Sequence, residues 1–295
     1  MAGSIKVVLF GATGQVGTEL CSGLLLEPGI ELYTPTRDAV DLRYIHHITE
    51  YLRQVTPAII INAAAYTAVD KAESDIDSAT DINTSAIASI ASWAAKHNAY
   101  LIHYSTDYVF NGTALLPYTE EDFPNPLNVY GKTKYDGDLC VLSSACKGLI
   151  FRTSWVYGKG EHNFPYKIVD RLKRNIETHV VSDQIGCPTS SYVIATTTIN
   201  AIKIDYPGDT IRIINLACAG HASWYTFATE IKRILKLGGC LIPVTTGEYG
   251  KQKAIRPKYT VLNTTKLYRS GIFMPDWKVT LEQDLPKFQR VPGND

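Results

Sequence analysis

Ile5-Lys6-Val7-Val8-Leu9-Phe10-Gly11-Ala12-Thr13-Gly14-Gln15-Val16-Gly17 opens the chain as a strand, a turn and the first residues of a helix. The apolar, β-branched run Ile5–Phe10 reads as a buried parallel strand ending at a glycine. Glycines at G-x-x-G-x-x-G spacing then lead into a helix expected over residues 14–26. Glycine is needed where a chain turns sharply, where backbone approaches a pyrophosphate, and where helix and strand meet closely. The amino end of a helix offers free N–H groups and a positive dipole end to an anion. Gly11, Thr13, Gly14, Gln15, Val16 and Gly17 are therefore candidate dinucleotide-binding residues. The spacing is not G-x-G-x-x-G, and a tight strand–helix turn without a ligand is the plainer alternative.

Outward from this turn, strands and helices alternate. Further strands are expected over residues 31–34, 58–62, 100–105 and 149–152, with helices over Ile45–Val55, 78–97 and 130–142. Such alternation predicts an α/β chain built on a Rossmann-type, doubly wound parallel sheet. After about residue 153 the pattern loosens: helices are expected over 163–174, 191–204 and 223–235, a short strand over 212–216, and a loop-rich stretch over 241–263. Residues 1–153 are read as the dinucleotide-binding domain, to which later segments return. Residues 154–295 are read mainly as a smaller, mixed substrate lobe.

The 295 residues suit one large domain or two unequal ones, and 45% hydrophobic with 20% charged residues is an ordinary globular balance. Lys+Arg and Asp+Glu are both 29, which argues against nucleic acid or a membrane surface as a partner. Six dispersed cysteines without a C-x-x-C pair read as core thiols of a reducing compartment, and no metal site is expected; His46-His47 is the only adjacent histidine pair. Met1-Ala2-Gly3-Ser4 leads straight toward the first strand without a basic and then apolar leader, and no stretch nears the roughly 20 apolar residues of a membrane span. A soluble, cytoplasmic protein is expected.

Chemistry gathers at the expected strand ends. Tyr130 and Lys134, in Tyr130-Gly131-Lys132-Thr133-Lys134, lie one helical turn apart on one face. An ammonium beside a phenol lowers the phenol's pKa, so Tyr130 is expected to act as a general acid or base. Ser105 and Thr106, closing the strand over 100–105, are both hydroxyls able to hold a carbonyl oxygen; Asp107 is either an acid or a loop cap. Ala63, Ala64 and Ala65, after Asn62, let backbone lie against a cofactor. After the second strand, Thr36-Arg37 suits the 2′-phosphate of NADPH, with Asp38 open to NADH instead; Asp41 and Leu42 lie where an adenine is held.

Three motifs together resemble the extended short-chain dehydrogenase/reductases: Gly11–Gly17, Ser105-Thr106-Asp107-Tyr108-Val109-Phe110, and Tyr130–Lys134. Within that superfamily, Asn62–Glu73, Pro126–Lys134, Arg152-Thr153-Ser154-Trp155-Val156-Tyr157, Asp183–Thr189 and Arg256-Pro257 are similar to the dTDP-4-dehydrorhamnose reductase family. The resemblance spans nearly the whole chain. It implies hydride transfer from NADPH, with NADH as the other candidate, to carbon 4 of a dTDP-4-keto-6-deoxy sugar. It implies a catalytic set of Thr106, Tyr130 and Lys134, with Lys134 also holding the nicotinamide ribose. It places Val69, Asp107, Trp155 and Arg256 on the substrate, Arg256 at the diphosphate. Some members form a magnesium-bridged dimer through two glutamates; Glu19 matches one, but Tyr192 stands at the other position, and a phenol is a poor magnesium ligand. A monomer or weak homodimer without that metal is therefore expected. A dehydratase would need Asp-Glu where Asp107-Tyr108 stands, and epimerases usually carry two serines where Ser105-Thr106 stands. A non-catalytic NADP-binding subunit similar to the methionine adenosyltransferase β subunit is the alternative from another class.

Overall fold

The computed structural model describes residues 4–160, 163–250 and 252–288; Met1–Gly3, read above with the amino terminus, lie outside them. Six parallel strands form the main sheet: β1 (Ile5–Phe10), β2 (Ile30–Tyr33), β3 (Ile59–Asn62), β4 (Tyr100–Thr106), β5 (Lys147–Thr153) and β6 (Ile211–Asn215), in the spatial order β6-β5-β4-β3-β1-β2. The order reverses beside β1, so the carboxyl ends of β1 and β3 flank the crevice where an open α/β sheet binds its ligands. The chain is thus α/β with a Rossmann-like parallel sheet and smaller sheets added by its second half.

Two apolar cores cover the sheet. On one face α1 (Gln15–Leu24) packs with the late helix α2 (Ser191–Asp205), enclosing Val7, Leu9, Leu20, Ile61, Ile102, Phe151 and Ile194. On the other face α3 (Ile45–Val55), α4 (Ala86–His97) and α5 (Val129–Ser143) enclose Val8, Phe10, Ile48, Leu52, Ile60, Ile87, Ile90 and Leu101. The second half therefore returns to the first twice, through α2 and β6. A third core, around Tyr157, Phe227, Ile231, Trp277 and Leu281, holds the remaining lobe together.

Two departures from the sequence reading have clear causes. The helix expected over 78–97 begins at Ile76 and passes through a π turn, Asp81–Ser85, before α4. The widened turn carries Asn83, which accepts from Tyr66 N–H (2.9 Å) and donates to Thr133 Oγ1 (3.1 Å). The stretch 241–263 contains a strand, Leu241–Val244, parallel to Thr178–Val181. Pro243 hides it, because proline fits only where no ladder N–H is needed. Among the described residues no helix is long and apolar enough to cross a membrane.

Candidate active site

Gly11 sits at φ +80, and a Cβ there would lie 2.5 Å from the Ala64 nitrogen. A Cβ on Gly17 would overlap the Gly11 carbonyl. Only glycine lets this turn fold so tightly that α1 starts against the end of β3, which brings Ala63, Ala64 and Ala65 to the same crevice. Gly14 is the N-cap of α1; no side chain caps it, and no acid stands in the first turn. Thr13, Gly14 and Gln15 are exposed. Uncapped N–H groups, a positive dipole end and an open glycine face fit a pyrophosphate.

At the end of β2, Arg37 is exposed and its Nε lies 3.9 Å from Asp41 Oδ2. Arg43, absent from the sequence reading, grips Asp41 with Nε and Nη2, and this guanidinium holds the carboxyl down at about 2. Leu42 packs against the core beside β1. Arg37 and Arg43 thus both approach the one carboxylate of Asp41 at the end of β2.

Asn128 caps α5, accepting from Gly131 N–H (2.8 Å), and its amide donates to the Ile255 carbonyl (2.8 Å). A Cβ on Gly131 would overlap the Tyr108 carbonyl, so the helix start fits directly against the loop after β4. Tyr130 thereby meets the end of β4, near the Thr106 side chain and edge-on to the Tyr108 ring. Thr106 Oγ1 also accepts from Tyr108 N–H and donates to Asp107 Oδ1 (both 3.2 Å). Ser105 donates instead to the buried Asp138 (2.7 Å). Both hydroxyls were open on chemistry alone; the alternation of β4 turns only Thr106 toward Tyr130.

The lowered phenol pKa is a correction. Part of Tyr130 reaches solvent, yet burial pushes its phenol up to about 12; the neighbouring Thr106 hydroxyl opposes this only in part. Lys134 donates to the Tyr104 carbonyl (2.5 Å), its Nζ lies 3.4 Å from His103 Nε2, and burial brings it down to about 8. Desolvation, which disfavours both charged forms, outweighs the pairing that the Tyr-x-x-x-Lys spacing suggested. The phenol that results is firmly protonated, the form a proton donor needs. Asp107, raised by burial to about 6, accepts from Thr260 (2.5 Å), Ser154 (2.9 Å) and Thr106. Neither Thr260 nor Ser154 was foreseen; both come from segments whose approach to β4 is set by tertiary packing.

Across the crevice, Trp155 stacks on Trp224 with ring centroids 3.6 Å apart and planes 7° off parallel. Its backbone is held at φ +44, a region bulky residues rarely occupy. Val69 starts the short helix Val69–Ala72, half-buried. Asp70 of that helix pairs with Arg256 through both carboxylate oxygens (2.9 and 3.1 Å) and also accepts from the Lys253 and Ala254 N–H groups. The Arg256 charge expected at a diphosphate is thus already matched by Asp70, a partner the sequence did not disclose.

The family described as RmlD substrate binding domain matches residues 5–290. A dTDP-4-dehydrorhamnose reductase of Escherichia coli strain K12 is 36% identical over 291 residues, covering 95% of this chain and 97% of the relative. The chain belongs to the dTDP-4-dehydrorhamnose reductase family. Among solved structures, a dTDP-4-dehydrorhamnose reductase from Clostridium acetobutylicum superposes with a TM-score of 0.91 at 34% identity, covering 97% of this chain and all of that one. One from Bacillus anthracis, in complex with NADP, gives 0.90 at 33% identity, covering 96% and 99%.

Membership of the dTDP-4-dehydrorhamnose reductase family makes the chain an oxidoreductase with an NADP(H) site. Glu19 lies 3.8 Å from Lys159, and Tyr192 is about half exposed. Among the described residues no cluster of three or more His, Cys, Asp or Glu side chains could hold a metal.

Proposed function

We propose that the chain reduces the 4-keto group of dTDP-4-dehydrorhamnose to give dTDP-L-rhamnose, using NADPH in preference to NADH. The observation that carries this reading is the close fit of the Tyr130 helix start to the carboxyl end of β4, which brings Tyr130 beside Tyr108 and the Thr106 side chain, with Lys134 buried behind it. Gly11, Thr13, Gly14, Gln15, Val16 and Gly17 bind the pyrophosphate of the cofactor; Ala63, Ala64 and Ala65 lie along it; Asp41 and Leu42 take the adenine; Arg37, supported by Arg43, takes the 2′-phosphate. When bound, NADPH supplies the hydride that reaches carbon 4.

The chain's own residues do the rest. The Thr106 hydroxyl, released from Asp107, donates to the carbonyl oxygen and fixes the ketone beside Tyr130. As the oxygen becomes an alkoxide, Tyr130 gives it the phenolic proton. Lys134 presents positive charge to the phenolate left behind and reaches the nicotinamide ribose. Val69, Asp107 and Trp155 border the sugar. Arg256, shared with Asp70, serves the nucleotide diphosphate. The protein works in the cytoplasm as a monomer or weak dimer without bridging magnesium.

Following NADPH absorbance with dTDP-4-dehydrorhamnose tests the reading. Oxidation that depends on the keto-sugar is the expected result. Tight NADPH binding with no oxidation would make the chain a binding subunit instead.

A further inference from the structure

Behind Tyr130 lies a cluster of charged and polar groups that the reaction above leaves unexplained. Lys134, Asp138, Arg152 and His103 are each at most 2% exposed. Tyr130, Lys134 and Asp138 follow one another at intervals of four along α5, so they share one helix face. His103, on β4, joins the latter two: its Nε2 is 3.4 Å from Lys134 Nζ and 3.8 Å from Asp138 Oδ1. Arg152, on β5, brings its Nε to 3.6 Å from Asp138 Oδ2 and lies over the Phe110 ring. Asp138 Oδ1 and Arg152 Nε and Nη1 have no hydrogen-bond partner among the described residues. A buried ion pair with loose geometry costs stability rather than adding to it. Its place needs another reason.

The charge count supplies one. Burial and the Lys134 ammonium hold the His103 imidazole well below its usual range, so it is neutral. The Tyr104 carbonyl and the Asn62 amide, from β4 and β3, are neutral too. Asp107, another buried acid, is occupied by the Thr106, Ser154 and Thr260 hydroxyls. Two buried cations, Lys134 and Arg152, therefore share one carboxylate within the cluster.

We propose that Asp138 is a positioning residue: its buried carboxylate is the counter-charge that keeps Lys134 an ammonium beside Tyr130, and Arg152 keeps that carboxylate ionised. This rests on the reductase reading only for its consequence, not for its test. Arg152 opposes the rise that burial imposes on Asp138, as does the Ser105 hydroxyl. Without the carboxylate, desolvation acts on Lys134 unopposed and the ammonium is lost at a lower pH.

The test is an NMR titration of the whole protein carrying 13C at lysine Cε, reading the Lys134 resonance, assigned by its absence in Lys134→Arg. Asp138→Asn should lower the Lys134 midpoint by about one pH unit or more, tenfold in proton affinity. The double variant Asp138→Asn with Arg152→Gln spares the fold an unpaired guanidinium, and it should shift the midpoint in the same direction but by less, because a neighbouring cation leaves with the carboxylate. Alongside, the alkaline limb of turnover should move down in step with the midpoint, while kcat at low pH stays within a few-fold. A Lys134 midpoint that stays put in both variants overturns the proposal, whatever happens to activity. Wild-type protein without turnover overturns the reductase reading alone and leaves the titration to judge Asp138.

Discussion

In the proposed reaction Thr106 and Tyr130 act from adjoining positions at the end of β4. Thr106→Val keeps shape and removes the hydroxyl, so kcat should fall about a hundredfold with NADPH affinity unchanged, as steady-state kinetics and fluorescence titration would show. Lys134 must hold its proton to act, and burial sets its value at about 8, below that of an exposed lysine. Protonated Lys134 is therefore lost as pH rises through about 8, whereas Tyr130, near 12, keeps its proton throughout. A profile of kcat/KM for NADPH, which reports the free protein, should show its alkaline limb near pH 8. A limb only above pH 10 would assign the titration elsewhere. At this scale the Tyr130–Lys134 spacing was legible in the letters, because helix geometry fixes which residues share a face. The direction of the phenol's pKa was not, because it depends on desolvation, which local spacing does not report.

At the level of elements, close approaches set the site. Gly186 lies so close to Trp155 that a Cβ would overlap the indole. Gly186→Ala should push Trp155 off Trp224 and raise the KM for the sugar about tenfold or more, with NADPH binding spared. A KM within twofold of the wild type would remove Trp155 from the sugar's binding surface. Gly17→Ala, by contrast, collides with backbone and should lose cofactor binding together with about 1–3 kcal/mol of stability in a denaturant melt. Regular elements with strong periodicity, such as Ile45–Val55, were legible to the residue, since local pattern and burial agree there. The strand Leu241–Val244 was not, because the strand it pairs with, Thr178–Val181, lies some sixty residues earlier and it contains Pro243. Trp224 escaped for a similar reason: it reaches Trp155 through the packing of a second lobe, which periodicity does not encode.

Across the whole molecule, the sheet's reversal at β1 sets the glycine turn after β1, Arg37 and Arg43 after β2, and Tyr130 at the end of β4 around one crevice. Binding to that crevice stabilises the folded chain by mass action. NADPH at about a hundred times its Kd should add about 2.7 kcal/mol, seen as a Tm several degrees higher, and NADH at equal concentration should add less. Arg37→Ala should narrow the gap between the two. Equal shifts in the wild type would remove Arg37 as the reader of the 2′-phosphate. The central claim is that this crevice reduces a nucleotide-linked 4-keto sugar with Tyr130 as the proton donor. It is tested most directly by NADPH oxidation in the presence of dTDP-4-dehydrorhamnose, with wild type and Tyr130→Phe side by side. Sugar-dependent oxidation by the wild type, reduced at least a hundredfold in the variant at unchanged NADPH affinity, is the predicted result. Equal rates in the two proteins, or no oxidation by a wild type that binds NADPH, would contradict it.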